Sequence, residues 1–273
     1  MSHTRKVGIV GYGRVGRYLV DKIKQTEDME LSFVWNLDPK EIDEGLPVLH
    51  ELKDFHTIET DLIVEVAHPV ISRDYGADFL AHTNYMAGSP TAFADQALED
   101  ALRAAAETPN GHGLYIPKGA LPGLRDVLDM AADGRLVEAD IAMIKAPESI
   151  NYLGPLDKPL SEVKETTTLY EGPLRKLCEY APNNVNTMAI LALSSGLGFD
   201  KVKARLIAEP DLEYHITEVN LWGPKSEDSG RFCLEMKRIN PAAKGAVTGN
   251  ATYRSFWNSV RRCFDAGDGI HFR

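Results

Sequence analysis

The residues able to do chemistry fall in one glycine turn and in a few polar positions that follow buried runs. Gly11, Gly13 and Gly16 have the G-x-G-x-x-G spacing within Gly11-Tyr12-Gly13-Arg14-Val15-Gly16. In such a turn the first glycine permits the bend, the second lets the backbone approach a pyrophosphate, and the third lets the next helix pack close to the strand. The helix N-terminus adds N–H groups and a partial positive charge, so Arg14 and Val15 join the glycines as candidate dinucleotide-binding residues. The spacing alone is generic. Here Val7–Val10 reads as a buried strand before it, and Arg17–Ile23 continues with helical periodicity after it.

A dinucleotide fold meets the adenosine ribose about twenty residues beyond the last glycine, which is Asn36. A carboxylate there selects NAD by binding the ribose hydroxyls and repelling a 2′-phosphate. Asn36 is neutral and Lys40 is close in sequence, so the expected cofactor is NAD or NADP, unless Asn36 and Asp38 only form a strand-end turn. The strand Asp61–Ala67 ends at His68-Pro69. Such strand ends face the crevice of an open parallel sheet, which makes Ala67 and His68 cofactor candidates, with a polar rim histidine as the plainer reading of His68.

Two polar stretches stand out in the second half. In Tyr180-Ala181-Pro182-Asn183-Asn184-Val185-Asn186-Thr187-Met188, Asn184 can cap a helix. Asn186, in the first turn, can hydrogen-bond a carboxamide or carboxylate, or both amides serve only the cap. His215 opens a strand directly after a turn; with an unperturbed pKa of ~6.5 it is either a proton donor near neutrality or a rim residue. Lys145 ends the strand-like Ile141–Ile144 run and is either a carboxylate anchor or a solvated lysine. No hydrolase triad, H-x-x-x-H or C-x-x-C is present, so no metal is expected.

The elements needed to hold these residues read as two domains. Strands and helices alternate up to Leu114–Ile116, as in a doubly wound parallel sheet; Ala92–Glu107 is a strong helix, with Asp95 on its wet face. Beyond Gly123 the pattern becomes Leu124–Asp133 as a helix, then strands at Leu136–Ile144, Glu165–Tyr170, Val202–Ala208, His215–Trp222 and Arg231–Lys237, with a helix at Asn186–Ser195. That is an α+β domain with an open mixed or antiparallel sheet. The expected division is a dinucleotide-binding domain over residues 1–122, a substrate and dimerisation domain over 123–245, and a C-terminal helix over 246–273 that packs back on the first.

The 273 residues carry a net charge of −10, which argues against nucleic acid or an anionic membrane as partner. Three cysteines without metal-type spacing fit a reducing compartment. The start Met1–Arg5 has no apolar core of a leader, and no segment is long enough to span a bilayer. The expected setting is cytoplasmic.

Several stretches, in order, carry a resemblance to a known family: Gly11–Gly16, Phe33-Val34-Trp35-Asn36, Val64-Glu65-Val66-Ala67-His68-Pro69, Gly88-Ser89-Pro90, Lys118-Gly119-Ala120, Leu169-Tyr170-Glu171-Gly172-Pro173, Ala181–Met188 and Gly245-Ala246-Val247-Thr248-Gly249. The chain resembles the L-aspartate dehydrogenases, most closely their animal branch, almost end to end. The resemblance implies a nicotinamide-dependent oxidative deamination of L-aspartate through iminosuccinate to oxaloacetate and ammonia, or its reverse. It implies His215 as the catalytic histidine, Ala120 and Asn186 as contacts on the nicotinamide side, and a homodimer formed through the second-domain sheet. Lys145 matches the family's lysine; with Asn184 it is the candidate for the substrate carboxylates. Bacterial members carry Ala-Gly-His where this chain has Ala67-His68-Pro69, and Lys-Pro-Pro where it has Lys145-Ala146-Pro147. Rival readings keep the cofactor with another amino or imino acid as substrate, or make the chain a dinucleotide-bound sensor without turnover.

Overall fold

A computed structural model describes residues 4–109, 111–226, 228, 230–243, 245–264 and 266–273; the leader reading at Met1–His3 lies outside them. The chain forms two compact units, Met1–Pro117 with Ser255–Arg273, and Lys118–Arg254.

The first unit opens with β1 (Arg5–Val10), α1 (Arg14–Lys24), β2 (Met29–Trp35), β3 (Leu62–Glu65), α2 (Pro69–His82), β4 (Asn84–Ala87), α3 (Gln96–Ala106) and β5 (Gly113–Ile116). β3, β4 and β5 are short apolar runs, and their interior positions are buried on both faces, the pattern of a parallel sheet covered by helices. On α1 the buried residues Gly16, Leu19, Val20 and Ile23 recur at helical spacing, and Leu19, Val20 and Ile23 join Val7, Ile9, Val34, Leu62, Val64 and Met86 in one core.

α3 is shorter than the Ala92–Glu107 run predicts. Asp95 accepts from Ala97 N at 3.0 Å and Leu98 N at 3.4 Å, so it caps the helix instead of lying on its wet face, and Pro90–Ala94 is a separate 3₁₀ turn. The carboxylate satisfies otherwise orphaned N–H groups, which is why the helix starts there.

The second unit follows with α4 (Leu124–Ala132), β6 (Glu138–Lys145), β7 (Thr167–Pro173), α5 (Leu174–Tyr180), α6 (Asn186–Ser195), α7 (Gly198–Lys201), β8 (Lys203–Ala208), β9 (Tyr214–Ser226) and β10 (Gly230–Pro241). Its sheet has the order β10-β9-β6-β8-β7. β6 and β8 are parallel, and the other pairs are antiparallel. β9 alternates buried and half-buried residues, with His215, Thr217, Val219 and Leu221 inward. α6 is buried at every position from Thr187 to Ser195, so it is a core helix with no polar face.

The C-terminal segment corrects the expectation of one helix over 246–273. α8 covers Asn250–Val260, and Gly269–Phe272 is β11, paired in parallel with β5 from Gly269↔Gly113 to Phe272↔Ile116. Four half-buried residues show no alternation to read; pairing with β5 fixes their state. The first sheet is therefore six-stranded, in the order β11-β5-β4-β3-β1-β2. Phe256, Val260 and Cys263 belong to its core cluster.

Candidate active site

In the first unit, the chain steps from β1 to β2 on one side and to β3 on the other. Ligands of open α/β sheets bind outside the C-terminal strand ends at such a switch point. Gly11 sits there with φ +109°, and a Cβ on it would lie 2.7 Å from Ala67 N, so the turn lies against the end of β3. A Cβ on Gly16 would run into Gly11 O; the glycine lets α1 close on its strand. Gly13 differs from both: its φ is −76°, and no described atom lies within 4 Å of its Cβ position. Nothing in the chain calls for glycine there, whereas a pyrophosphate approaching the backbone does. α1 begins with no side-chain cap and no acidic residue in its first turn, which leaves its positive end to an anion. A dinucleotide thus fits the residues present.

Asn36, at the end of β2, lies against the glycine turn. Its Oδ1 accepts from Tyr12 N at 3.1 Å, and its Nδ2 donates to Glu41 Oε2 at 2.7 Å and to Asp38 O at 3.2 Å. His68 is exposed and caps α2, accepting from Val70 N on Nδ1 at 3.2 Å.

Glu65, at the end of β3, is a residue that reasoning from motifs misses. It is fully buried. Its Oε1 accepts from Ala67 N (2.7 Å), His68 N (2.9 Å) and Ser89 Oγ (3.0 Å), and its Oε2 from Ser89 N (2.9 Å). One carboxyl thereby ties the loops after β3 and β4 together. Burial pushes it up to about 7, against these four donors. The available signal was a lone carboxylate ending the apolar run Leu62-Ile63-Val64.

The second unit gathers most of the remaining candidates. The Ile144↔Ile216 register of β6 and β9 brings Lys145 and His215 to the same sheet end. Lys145, left open by sequence between anchor and solvated lysine, is only 2 % exposed. Its ammonium donates to Asn184 O and Val247 O, both at 3.3 Å. No carboxylate among the described residues offsets its burial, which lowers it to about 7. His215 is also buried. Burial first, then the neighbouring Lys145 charge, lower it to about 4, opposed by a hydrogen bond with the backbone of Ala246. A backbone bond that favours the protonated ring is a donation to a carbonyl. Nε2 is buried with no partner among the described residues, so that donation falls to Nδ1–H, which leaves the lone pair on Nε2.

Asn184 departs from its expected role as a helix cap. α6 starts after Val185 with no side-chain cap. The Asn184 amide instead accepts from Asn151 N at 2.8 Å and donates to Ser149 O at 2.9 Å. With both ends occupied inside the fold, it presents its main-chain carbonyl to Lys145. Asn186 is the first residue of α6. The turn carrying Ala120 packs on the same helix: Gly119 has φ +55°, and a Cβ on it would lie 3.0 Å from Ile190 Cδ1.

Residues 126–259 match the family described as aspartate dehydrogenase, C-terminal, and residues 11–117 match the homoserine dehydrogenase NAD binding domain. An aspartate dehydrogenase domain-containing protein of Danio rerio is 42% identical over 97% of each chain. The chain belongs to the aspartate dehydrogenase family. An L-aspartate dehydrogenase of Methanococcoides burtonii is 28% identical over 95% of this chain and 97% of its own. The crystal structure of the aspartate dehydrogenase from Thermotoga maritima shares the fold, with a TM-score of 0.69 at 23% identity over 95% of each chain. The family's NAD-binding oxidoreductase fold is thus the fold of this chain, and its cofactor is NAD or NADP. No helix among the described residues is long and apolar enough to cross a membrane.

Proposed function

We propose that this protein is an NAD(P)-dependent L-aspartate dehydrogenase, converting L-aspartate through iminosuccinate to oxaloacetate and ammonia, or running the reverse. The observation that carries this reading is the buried pair in the second unit: an ammonium with no carboxylate partner, beside an imidazole whose Nε2 is unsatisfied, among the described residues. Unpaired charge and an orphaned nitrogen are costly when buried, and a dicarboxylic amino acid removes both costs. The uncapped, acid-free N-terminus of α6, two residues after Asn184, adds a partial positive charge that favours an anion.

The bound nicotinamide supplies the hydride acceptor; the protein's own groups supply position and protons. Lys145 in its charged form pairs with a substrate carboxylate, which restores the proton affinity that burial removes. His215 is neutral above about pH 4, so Nε2 can take a proton from the water that adds to the imine carbon. The same nitrogen then returns it to the departing ammonia. Nδ1–H on the Ala246 carbonyl holds the ring in the tautomer this requires. Asn186 and Ala120, on and against the start of α6, are the proposed contacts on the nicotinamide side. Lys145, and not the Asn184 amide, is the proposed carboxylate anchor.

The test is a screen of amino acids with NAD and NADP, following the reduced nicotinamide by absorbance. Turnover with L-aspartate well above every other amino acid is expected. Preference for another amino acid would move the substrate and keep the chemistry; binding of cofactor without turnover of any amino acid in either direction would make the protein a sensor. The proposed assembly is a homodimer through the second unit's sheet, checked by light scattering.

A further inference from the structure

The neutral Asn36, where dinucleotide folds commonly place a carboxylate, leaves the choice between NAD and NADP open in the sequence. The structure delivers a carboxylate to that place from another residue. After β2 the chain makes a 3₁₀ turn, Pro39–Glu41, started by Asp38 Oδ1 accepting from Lys40 N at 3.0 Å. This turn brings Glu41 back so that its Oε2 accepts from the Asn36 amide at 2.7 Å, while Asn36 Oδ1 accepts from Tyr12 N in the glycine turn.

Arg17, a cation beside this carboxylate, makes no hydrogen bond to it. Arg17 spends its Nη1 on Asp43 Oδ1 at 2.7 Å and its Nη2 on Glu41 O at 2.6 Å, with its guanidinium 4.3 Å from the centre of the Tyr12 ring. The Tyr12 hydroxyl donates to Asp43 Oδ2 at 2.7 Å; burial and that bond push Tyr12 up to about 12. Asp43 is therefore already answered, by Tyr12 and Arg17 together, and the Arg17 charge is turned toward it. Among the described residues the Glu41 carboxylate is hydrogen-bonded by the neutral amide of Asn36 alone, and the Arg17 charge acts on it only through space.

We propose that Glu41, seated on Asn36, is the carboxylate that reads the adenosine ribose, and that the protein binds NAD in preference to NADP. The diol of NAD can donate to Glu41, as it would to a carboxylate on the strand end itself. The 2′-phosphate of NADP brings up to two negative charges against it. A like-charge contact of this kind at a partly solvated site disfavours the phosphate by about tenfold or more, and salt weakens the effect.

The experiment uses the full chain and measures dissociation constants of NADH and NADPH by nicotinamide fluorescence at low salt, with 5′-AMP and adenosine 2′,5′-bisphosphate as competitors. Wild type should bind NADH and 5′-AMP about tenfold or more tighter than their 2′-phosphorylated forms. Glu41→Gln should narrow both ratios toward one by strengthening the phosphorylated ligands. Asp38→Asn keeps the oxygen that caps the turn and removes a neighbouring charge, and should leave both ratios unchanged. Equal binding of NADH and NADPH by wild type would overturn the proposal, as would ratios that ignore Glu41→Gln or follow Asp38→Asn. A chain that binds neither dinucleotide would overturn the cofactor site as well, which separates the two failures.

Discussion

At the end of β3 a buried carboxyl is met by four donors between 2.7 and 3.0 Å. At the end of β6 a buried ammonium is met by two carbonyls at 3.3 Å and by no carboxylate among the described residues, and its histidine neighbour has an unpartnered Nε2. Both places sit at the mouths of sheets and bury ionisable groups, yet only the first completes its own hydrogen bonding. A site that holds the same cofactor at every turnover gains from loops fixed in advance, since preorganisation lowers the cost of binding. A site that must tell one substrate from another gains from polar groups that only the right substrate completes. On the proposed function the contrast is that of a cofactor cradle with a reaction centre, and each expected outcome tests one side of it.

The largest effect is expected at His215. A positioned general acid–base contributes ~10²–10⁴-fold, so His215→Ala should lower kcat by roughly that factor with dinucleotide affinity nearly unchanged. His215→Asn retains hydrogen bonding but cannot shuttle a proton near neutrality, and should be almost as impaired. A near-normal kcat in His215→Asn would reduce the ring to a positioning group.

Lys145→Met should separate stability from function. Removing one partner of a buried charge pair costs about 2–5 kcal/mol, so kcat/KM for aspartate should fall by about 30- to 5,000-fold. Methionine removes a buried charge that no carboxylate among the described residues balances, so the thermal midpoint of the substrate-free protein should rise, less the cost of freeing the two carbonyls it met. Its pH dependence has a definite sign. Burial depresses Lys145 from 10.5 to about 7, so the folded state binds fewer protons than the unfolded one across that window. Wild type should therefore lose stability as pH falls from about 10.5 toward 7, and Lys145→Met should lack that component. Identical stability profiles for the two proteins would show that burial does not depress Lys145.

The cradle is tested at Gly13. Its ordinary φ and open Cβ position mean that Gly13→Val should fold normally. Inserting a side chain into space the ligand needs costs typically about 1–3 kcal/mol, so dinucleotide binding should weaken by about 5- to 150-fold. Calorimetry giving wild-type affinity would remove the turn from the site. Gly16→Val should instead fail to fold well, because its Cβ would meet the Gly11 carbonyl.

These contrasts were unevenly visible in the sequence. The glycine turn was legible because its constraints are local: strand, turn and helix lie within about twenty residues. The α/β alternation and the mixed second sheet were legible from apolar runs and their spacing. Partners far apart in the chain were not. Lys145 meets Val247 across 102 residues and Asn184 across 39, so whether it was buried or solvated could not be read from Ile141–Ile144. Asn184 looked like a cap because Asn before a helix commonly is one; its bonds to Ser149 and Asn151 come from a distant loop. Glu65 lies in a stretch that carries the family resemblance but in no motif that gives it a role, and β11 is a strand only because β5 is beside it.

The smallest expected effect tests whether the cradle's completeness matters, at Glu65. Glutamine keeps one carbonyl oxygen for the three donors on Oε1 but sets an N–H₂ against Ser89 N, where donor faces donor. An unsatisfied buried donor costs about 1–3 kcal/mol, which Glu65→Gln offsets in part by removing a buried charge. Dinucleotide affinity should fall less than tenfold, through loosening of the Ala67-His68 and Ser89 loops, with kcat nearly kept. The sign of its pH dependence is opposite to that of Lys145. Glu65 is raised from 4.5 to about 7 in the folded protein, so its contribution to stability is full below about 4.5 and is lost as pH rises through about 7. Tyr85, on β4, and His68, at the start of α2, are the other titratable groups near it. Tyr85 is pushed up by its own burial and then by Glu65, so it stays neutral throughout this window. Thermal unfolding of wild type and Glu65→Gln from pH 4.5 to 8 should therefore diverge, with the declining component present in wild type alone. If both curves keep the same slope while dinucleotide affinity is unchanged, Glu65 is a passive filler of the core and the two loops are held by their backbones.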